Sequence, residues 1–394
     1  MKRLGAIVLL PLLLLCGCGT SANTPAPSTP PQANGAPFTL TFITIGKGDA
    51  FLLEAPEGQH YLIDTGKAQD YQQIVRLLRL KNITQLDGIF LSHGHKDHAG
   101  CLEPLLNTLP VKRVYISAKD NISYTEINPR EILPHFENTE LIELNGGESL
   151  DLGGIEANVW LPPTVDTKNE NNNSMILQII HGNNRFLFMG DAEADEETAF
   201  MHSDFFLPAT VLKLGHHGET DATSPAFLDS VSPKIALITG NVEENPDSEN
   251  PVIAQLLKER QISAYYSKGA SIDFCSDGTT ITTQNVVDRE LPKMLQLAFN
   301  DVKRKKQAVI IQNEANETAD LTGCTLISER GDEIYHFPEG TTLAPKATLT
   351  IVCQDSTLSG DLIWPEDSVW KKHGDNALLY DRNMNILATN FDNH

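Results

Sequence analysis

Apolar positions along the chain follow two spacing regimes, and the change between them falls near residue 306. Before it, short apolar runs alternate with segments of helical period. Phe38–Ile45, Ala50–Glu54 and Gln59–Asp64 read as strands, separated by Gly46, Gly48, Pro56 and Gly58. Residues 70–80 place Ile74, Val75, Leu77, Leu78 and Leu80 at the spacing of one helix face. Leu86–Leu91 is then a buried strand that runs into Ser92-His93-Gly94-His95-Lys96-Asp97-His98. The pattern recurs downstream. Ser174–Ile180 and Arg185–Met189 form a hairpin that ends in Gly190-Asp191, and residues 192–201 are acidic and helical. Thr210–Leu214 leads into Gly215-His216-His217-Gly218, and Lys234–Thr239, Pro251–Gln261 and Ile262–Tyr266 complete a further strand–helix–strand set. Apolar strands interleaved with helices predict an α/β architecture, a sheet core covered by helices.

Beyond 306 the helical periods stop. Ala308–Asn313, Cys324–Glu329, Ile334–Phe337, Thr348–Cys353, Leu362–Trp364, Ala377–Tyr380 and Ile386–Thr389 are short strands with Gly, Pro or Asn between most of them. About seven such strands predict an all-β sandwich. Residues 288–305 between the two regimes read as a charged connector.

The N-terminus has a third pattern. A basic start, Met1-Lys2-Arg3, precedes the apolar run Leu4–Leu15, which is shorter than the ~20 residues of a spanning helix. The run ends in Leu15-Cys16-Gly17-Cys18, which resembles the bacterial lipoprotein processing site. Cys18, preceded by the small Gly17, is the residue expected to carry the lipid. Residues 19–37 are uncharged and rich in Ser, Thr, Pro, Ala and Asn, a composition that makes a tether and not a core. The expected organisation is a lipoprotein signal peptide (1–18), a disordered linker (19–37), an α/β domain (38–287), a connector (288–305) and a sandwich (306–394). Such a protein is exported and held by lipid at the extracytoplasmic face of a membrane.

Composition fits a globular chain of 394 residues, with 40% hydrophobic and 21% charged residues. The formal net charge of −22 argues against a general electrostatic clamp on nucleic acid, although a bound divalent cation makes a local positive site. Cys324 and Cys353 both fall in the sandwich, where an exported compartment permits a disulfide and buried thiols fit equally well.

The candidate chemistry lies just past strand ends. His93, His95, Asp97 and His98 fall within six residues. If the loop begins extended, His93 and His95 face one ion, and Asp97 and His98 reach a second. Asp191 stands where it could bridge the two ions and His216 where it could complete the second. Two ions ~3.5–4 Å apart can hold a hydroxide nucleophile and neutralise a developing oxyanion.

This order, HxHxDH followed by Gly-Asp and then by a strand ending in His, resembles the metallo-β-lactamase superfamily. Ile45–Ala50, Leu62–Gly66, Leu91–Gly100, Asn171–Leu177, Phe188–Asp191 and Leu212–Gly218 look like the hydrolase domain of ComEC-type DNA-uptake proteins. The resemblance implies an αββα sandwich over roughly 38–285. It also implies two divalent metal ions, Zn2+ favoured and Mn2+ the alternative, on His93, His95, Asp97, His98, Asp191 and His216, with Asp49 and Asp64 shaping the site from behind. Asn171–Ser174 stands where other members carry a further metal-binding His, so Asn171 and Ser174 are expected at the substrate rim. Asn250 replaces a substrate-touching His of the family and is expected at the same rim; Lys47 replaces a Gln and Glu219 a Ser. Asp97 and His217 are the expected catalytic groups, and Lys213, within the same motif, is either structural or anion-binding. The C-terminal stretches Ala308–Asn313, Ala319–Gly323, Phe337–Gly340, Trp370 and Gly374–Asp381 look like the lamin-tail domain, which implies an immunoglobulin-like sandwich that binds a surface or a protein partner.

The leading functional reading is a binuclear metal-dependent phosphodiesterase or nuclease that acts on DNA through a metal-bound hydroxide. The alternatives are a metallohydrolase of a wall polymer, phospholipid or lactam/lactone, and a non-catalytic binding lipoprotein.

Overall fold

A computed structural model of the protein describes residues 36–120, 125–289, 295–330 and 333–391. The expected signal peptide, Cys18 and nearly all of the linker lie outside the described residues. Among those described, no helix is long and apolar enough to cross a membrane.

Two sheets face each other at the centre of the first domain. One has eight strands: Phe38–Phe42, Phe51–Glu54, His60–Ile63, Gly88–Phe90, Arg113–Ser117, Glu140–Leu144, Ile272–Ser276 and Ile281–Asn285. The other has seven: Ser149–Asp151, Glu156–Trp160, Ile176–His181, Asn184–Phe188, Val211–Lys213, Ile235–Ile238 and Ser263–Tyr266. Strand periodicity decides which side chains meet where. Phe51, Leu53, Tyr61, Ile63 and Phe90 point into the space between the sheets, where they meet Leu177, Ile179, Phe186, Phe188 and Leu237. Their neighbours Leu52, Leu62 and Ile89 point the other way, onto Ile74, Leu78, Leu102 and Leu105 of the helices Tyr71–Leu80 and Leu102–Leu106. The outer face of the second sheet, with Ile176, Leu187, Leu212 and Ala236, is covered by Phe200, Phe227, Leu228, Ile253 and Leu257 of three further helices. The result is the expected four-layer αββα sandwich. Arg113–Ser117, Glu140–Leu144, Ser149–Asp151, Glu156–Trp160, Ile272–Ser276 and Ile281–Asn285 were not expected from the pattern, chiefly because several are short or carry charged residues at the sheet edges.

The all-β domain begins earlier than the hydrophobic pattern indicates. Residues 288–305 read as a connector, yet Leu297–Lys303 is a strand paired antiparallel with Ala308–Asn313. Its apolar positions are interrupted by Asn300 and Asp301, and a register shift between Phe299 and Asp301 breaks the period-2 alternation. Two four-stranded sheets and a two-stranded ribbon enclose a core of Val309, Ile311, Leu326, Tyr335, Trp364, Trp370 and Leu379. Cys324 and Cys353 lie in this core as separate thiols, both raised by burial, to about 12 and about 11.

The sandwich is docked on the first domain. Ile327, Leu378, Tyr380 and Met384 join the same apolar cluster as Ile74 and Leu78. The Tyr380 hydroxyl donates to Gln72 Oε1 at 2.9 Å, Arg76 donates to Asn385 Oδ1 at 3.3 Å, and the Tyr71 and His336 rings meet edge to face. Helix Tyr71–Leu80 therefore buries one face on the sheet and another on the sandwich.

Candidate metal centre

Each group of the site stands on a loop that leaves a strand. Strand His60–Ile63 ends in Asp64, Gly88–Phe90 in the Ser92–His98 loop, Asn184–Phe188 in Gly190-Asp191, Val211–Lys213 in His216-His217, and Ile235–Ile238 in Thr239. Asp49 sits on the turn between the first two strands. Close approach of these loops demands glycine in two places. A Cβ on Gly48 (φ +143°) would come 2.8 Å from the Asp97 carbonyl oxygen, and one on Gly190 (φ +53°) would come 2.8 Å from Ser174 Oγ. Asp64, His216 and His217 hold left-handed backbone with φ of 55°, 41° and 55°. Such conformations are costly for non-glycine residues and persist where surrounding contacts enforce them.

Asp97, His98, Asp191 and His217 place one ligand atom each within 4.8 Å of one another. His98 Nε2 is 3.1 Å and His217 Nε2 is 3.2 Å from the same Asp191 Oδ2. His217 Nε2 is also 3.5 Å from Asp97 Oδ2. Both of these ring nitrogens and Asp191 Oδ1 are buried. Two buried imidazole nitrogens that converge on one carboxylate oxygen, beside a second carboxylate, are a donor set that fits a shared cation. His93 and His95 form a neighbouring pair, with Nε2 to Nδ1 at 3.0 Å, and the His93 ring lies 4.2 Å from that of His98.

Behind these groups lies a second tier. His98 Nδ1 is 2.9 Å from Asp64 Oδ2, and Asp64 is itself held by Ser92, whose amide and hydroxyl donate at 2.7 and 2.8 Å. His217 Nδ1 is 2.9 Å from Thr239 Oγ1 and 3.5 Å from Asp49 Oδ1. A carboxylate or hydroxyl on the far nitrogen fixes each ring and turns Nε2 toward the centre. Lys213 is fully buried; its ammonium lies 2.6 Å from Asp49 Oδ2, donates to the Gly190 carbonyl at 2.6 Å, and lies 3.5 Å from Asp191 Oδ1. That ends its candidacy as an anion-binding group: its charge is spent holding two carboxylates of the site.

The electrostatics follow from this balance. Burial alone would raise Asp97 and Asp191, but His217 and His98 outweigh it and hold both well below the carboxylate range. Burial would likewise lower His217, yet Asp191, Asp49 and Asp97 carry it up to about 9. His98 is raised well above the usual imidazole value against its own burial by Asp191, Asp49 and Asp64. His93 runs the other way, lowered well below by burial and by His98.

The structure gives several expected site residues surroundings that the sequence does not indicate. His216, expected among the ligands, stands apart from the buried cluster at the rim, where Nδ1 is 3.0 Å from Asp221 and 3.7 Å from Glu193, a second group of three that could hold an ion; His217, expected as a separate catalytic group, takes the place in the buried cluster. Two successive left-handed residues kink the chain after the strand and exchange the directions of the rings. Ser174 is buried behind Asp191, whose amide donates to its Oγ at 3.0 Å, so it cannot reach a substrate at the rim. Asn250 caps the helix Pro251–Glu259, its Oδ1 accepting from the Val252 amide at 3.0 Å. Asn171 does stand at the rim, with Nδ2 3.4 Å from His216 Nε2 and 2.9 Å from Glu193 Oε1. Lys47 reaches Asp97 Oδ2 at 3.2 Å, and Glu219 accepts from Asn245 Nδ2 at 2.7 Å. The reading of the sequence missed Thr239, Glu193 and Asp221; Thr239 alone gives a signal, as the polar residue that ends an apolar strand.

Residues 43–239, half of the chain, match the family model described as the metallo-beta-lactamase superfamily. The chain belongs to this superfamily. Residues 294–391 match the Lamin Tail Domain, a span that starts before 306 and takes in the strand Leu297–Lys303. Within the superfamily the chain is similar to ComE operon protein 3 of Bacillus subtilis, 29% identical over 240 residues, which are 57% of this chain and 31% of that protein. It is similar also to Recombination protein 2 of Haemophilus influenzae, 27% identical over 213 residues, 53% of this chain and 25% of that one. The chain thus spans about a quarter to a third of the length of these curated relatives. Among solved structures it is similar to the metallo-beta-lactamase fold protein YhfI from Bacillus subtilis, at 15% identity and a TM-score of 0.43, covering 61% of this chain and 100% of that one.

Proposed function

We propose that this metallo-β-lactamase-fold protein is a binuclear metal-dependent phosphodiesterase acting on nucleic acid, exported and held at a membrane by a lipid on Cys18. The observation that carries the metal-dependent part is the convergence of the buried His98 Nε2 and His217 Nε2 on Asp191 Oδ2, with Asp97 in reach of the same group. The nucleic-acid part draws on the similarity to Recombination protein 2 of Haemophilus influenzae and to Competence protein ComA of Neisseria gonorrhoeae.

Asp97, His98, Asp191 and His217 would hold one ion, and His93 and His95 would hold the other. When bound, the ions supply Lewis acidity and charge to offset the phosphoryl oxygens. Asp97, kept deprotonated and only partly buried, orients an attacking water by accepting its hydrogen bond. His216 is raised above the ordinary imidazole value, chiefly by Asp221 against its own burial, and stands at the mouth. It is the group placed to deliver a proton to the departing oxygen. Lys47 and Lys67 flank the mouth, paired with Asp97 and Glu244. An incoming phosphate competes with those carboxylates for the two ammonium groups.

The test measures bound metal in the purified chain together with cleavage of single- and double-stranded DNA, RNA and a chromogenic phosphodiester, with added Zn2+ or Mn2+. A His95→Ala, Asp97→Asn double variant is the control. Metal-dependent cleavage that is lost in the variant supports the proposal. Bound metal with no cleavage of these substrates shifts the reading to another substrate, such as a wall polymer, phospholipid or lactone. A chain that binds no metal is a non-catalytic binding protein.

A further inference from the structure

The sandwich domain carries a cationic cleft that the metal centre does not use. Residues 303–306, Lys-Arg-Lys-Lys, and Lys372-His373 line it together with Val302, and its volume is about 410 Å³. In a chain of net charge −22, six of the nine Lys and Arg residues between 295 and 391 fall in the runs 303–306 and 371–372. These runs lie far apart in sequence, so the fold has brought them together.

The two turns are fastened by side chains that point inward. Gln307 Nε2 donates to the carbonyls of Arg304 and Trp370 at 2.9 and 2.7 Å, and its Oε1 accepts from the amides of Val369 and Trp370. Arg304 donates to the Asp375 carbonyl at 2.7 Å and to Asn390 at 2.9 Å. Asp375, the acid closest in sequence to the second run, is buried and turned away; its carboxylate accepts from Ser328 Oγ and from the amides of Arg330 and Lys371. Lys303 is 3.5 Å from Asp301. Lys305, Lys306, Lys371 and Lys372 are exposed, and among the described residues none of the four has a carboxylate within 4.0 Å. Four ammonium groups are therefore held on two fixed turns with no counter-ion among the described residues.

We propose that this cleft binds the phosphodiester backbone of an extended polyanion, and that it holds the strand on which the metal centre acts; the second part rests on the phosphodiesterase reading above. Lysines bind phosphates as point charges, and of the two planar groups in the lining Arg304 is tied to Asp375 and Asn390, so the cleft is built to hold backbone and not to read bases. Ammonium groups set side by side on two turns match the regularly repeating charges of an anionic polymer, and binding to an anionic bilayer is one of the outcomes tested below. Docking through Tyr71–His336 and Tyr380–Gln72 keeps the cleft in a set place relative to the metal centre. It also answers the charge problem: an acidic protein with ion-paired lysines at its catalytic mouth needs a separate place to hold a polyanion.

The experiment is fluorescence anisotropy of a labelled single-stranded DNA with the full chain, across a salt series and with chelator present so that no cleavage occurs. The comparison is a Lys305→Glu, Lys306→Glu, Lys372→Glu variant. Its substitutions are exposed and unpaired, so its melting temperature should match that of the parent. The expected result is a loss of affinity of at least about tenfold at low salt. The log–log salt slope should also become shallower by about 2, since each phosphate that a lysine neutralises on a single strand adds ~0.7 to it. Competition by poly(glycerol phosphate) at equal phosphate concentration would support the same backbone chemistry and name a wall polymer as its source; failure to compete would assign the site to nucleic acid. Unchanged DNA binding in the variant overturns the proposal. So does cleft-dependent binding of phosphatidylglycerol vesicles without DNA binding. Cleft-dependent DNA binding in a chain that cleaves no phosphodiester leaves this site standing and removes the phosphodiesterase reading alone.

Discussion

At the scale of single residues, the adjacent histidines 216 and 217 separate ligand from rim. His217→Ala should lower bound zinc by about one ion per chain, because it removes a buried nitrogen of the four-group cluster, whereas His216→Ala should keep the full content; metal analysis after dialysis decides between them. Asp64 touches no substrate in this arrangement but fixes the ring of His98. Asp64→Asn should weaken zinc binding about 10–100-fold in a competition titration while the fold persists, as is usual for the outer partner of a metal-ligating imidazole. Glu196 is a different case. It is buried, and burial, only partly offset by a hydrogen bond from the Ser174 backbone, raises it well above the usual value of 4.5. A group raised in this way contributes stability that is present below about pH 4.5 and is lost as pH rises. Glu196→Gln should therefore raise the melting temperature at pH 8, by an amount corresponding to roughly 1 kcal/mol or more, with the gain fading below pH 4.5.

At the scale of elements, Asn250 shows how a position aligned with a substrate-facing residue can serve the backbone instead. Its side chain satisfies an amide at the start of Pro251–Glu259. Asn250→Ala should cost about 0.5–2 kcal/mol in chemical denaturation with KM unchanged, where a substrate-binding role would raise KM. The helix Tyr71–Leu80 was legible because its apolar residues fall at helical spacing. Its outward face was not legible, since Gln72 and Arg76 look like ordinary solvated residues until Tyr380 and Asn385 are found opposite them. Leu297–Lys303 was hidden for a related reason: its pairing with Ala308–Asn313 crosses a basic turn that reads as a linker in isolation.

At the scale of the whole molecule, the two domains share one apolar cluster, and His336 sits at their junction against Tyr71. Burial lowers it from 6.5 to about 4. The sign is the reverse of that for Glu196. Stability associated with the neutral ring is present above about pH 6.5 and is lost as pH falls toward 4, because the unfolded chain takes up the proton first. Between pH 7.5 and 4.5 the parent should lose about 2–3 kcal/mol more than His336→Phe, read from denaturation curves of both at each pH. A difference close to zero would mean that the ring is solvated and does not seal the junction.

What the sequence determined by itself was the order of the layers and the identity of most of the chemical groups. Strand and helix periods are local properties, and three histidines with an aspartate in six residues, followed by Asp191 and a histidine pair, are conspicuous wherever they fold. What only the tertiary structure decided was direction and partnership. Which of His216 and His217 faces inward depends on two left-handed residues enforced by surrounding loops. Lys213 lost its candidacy for anion binding only when Asp49 and Asp191 were found beside it. The basic run at 303–306 became one side of a cleft through Gln307 and the distant turn at 369–373. Each of these outcomes rests on contacts between residues far apart in the chain. Spacing along a sequence reports the face on which a side chain stands, but not the group that another loop brings to meet it.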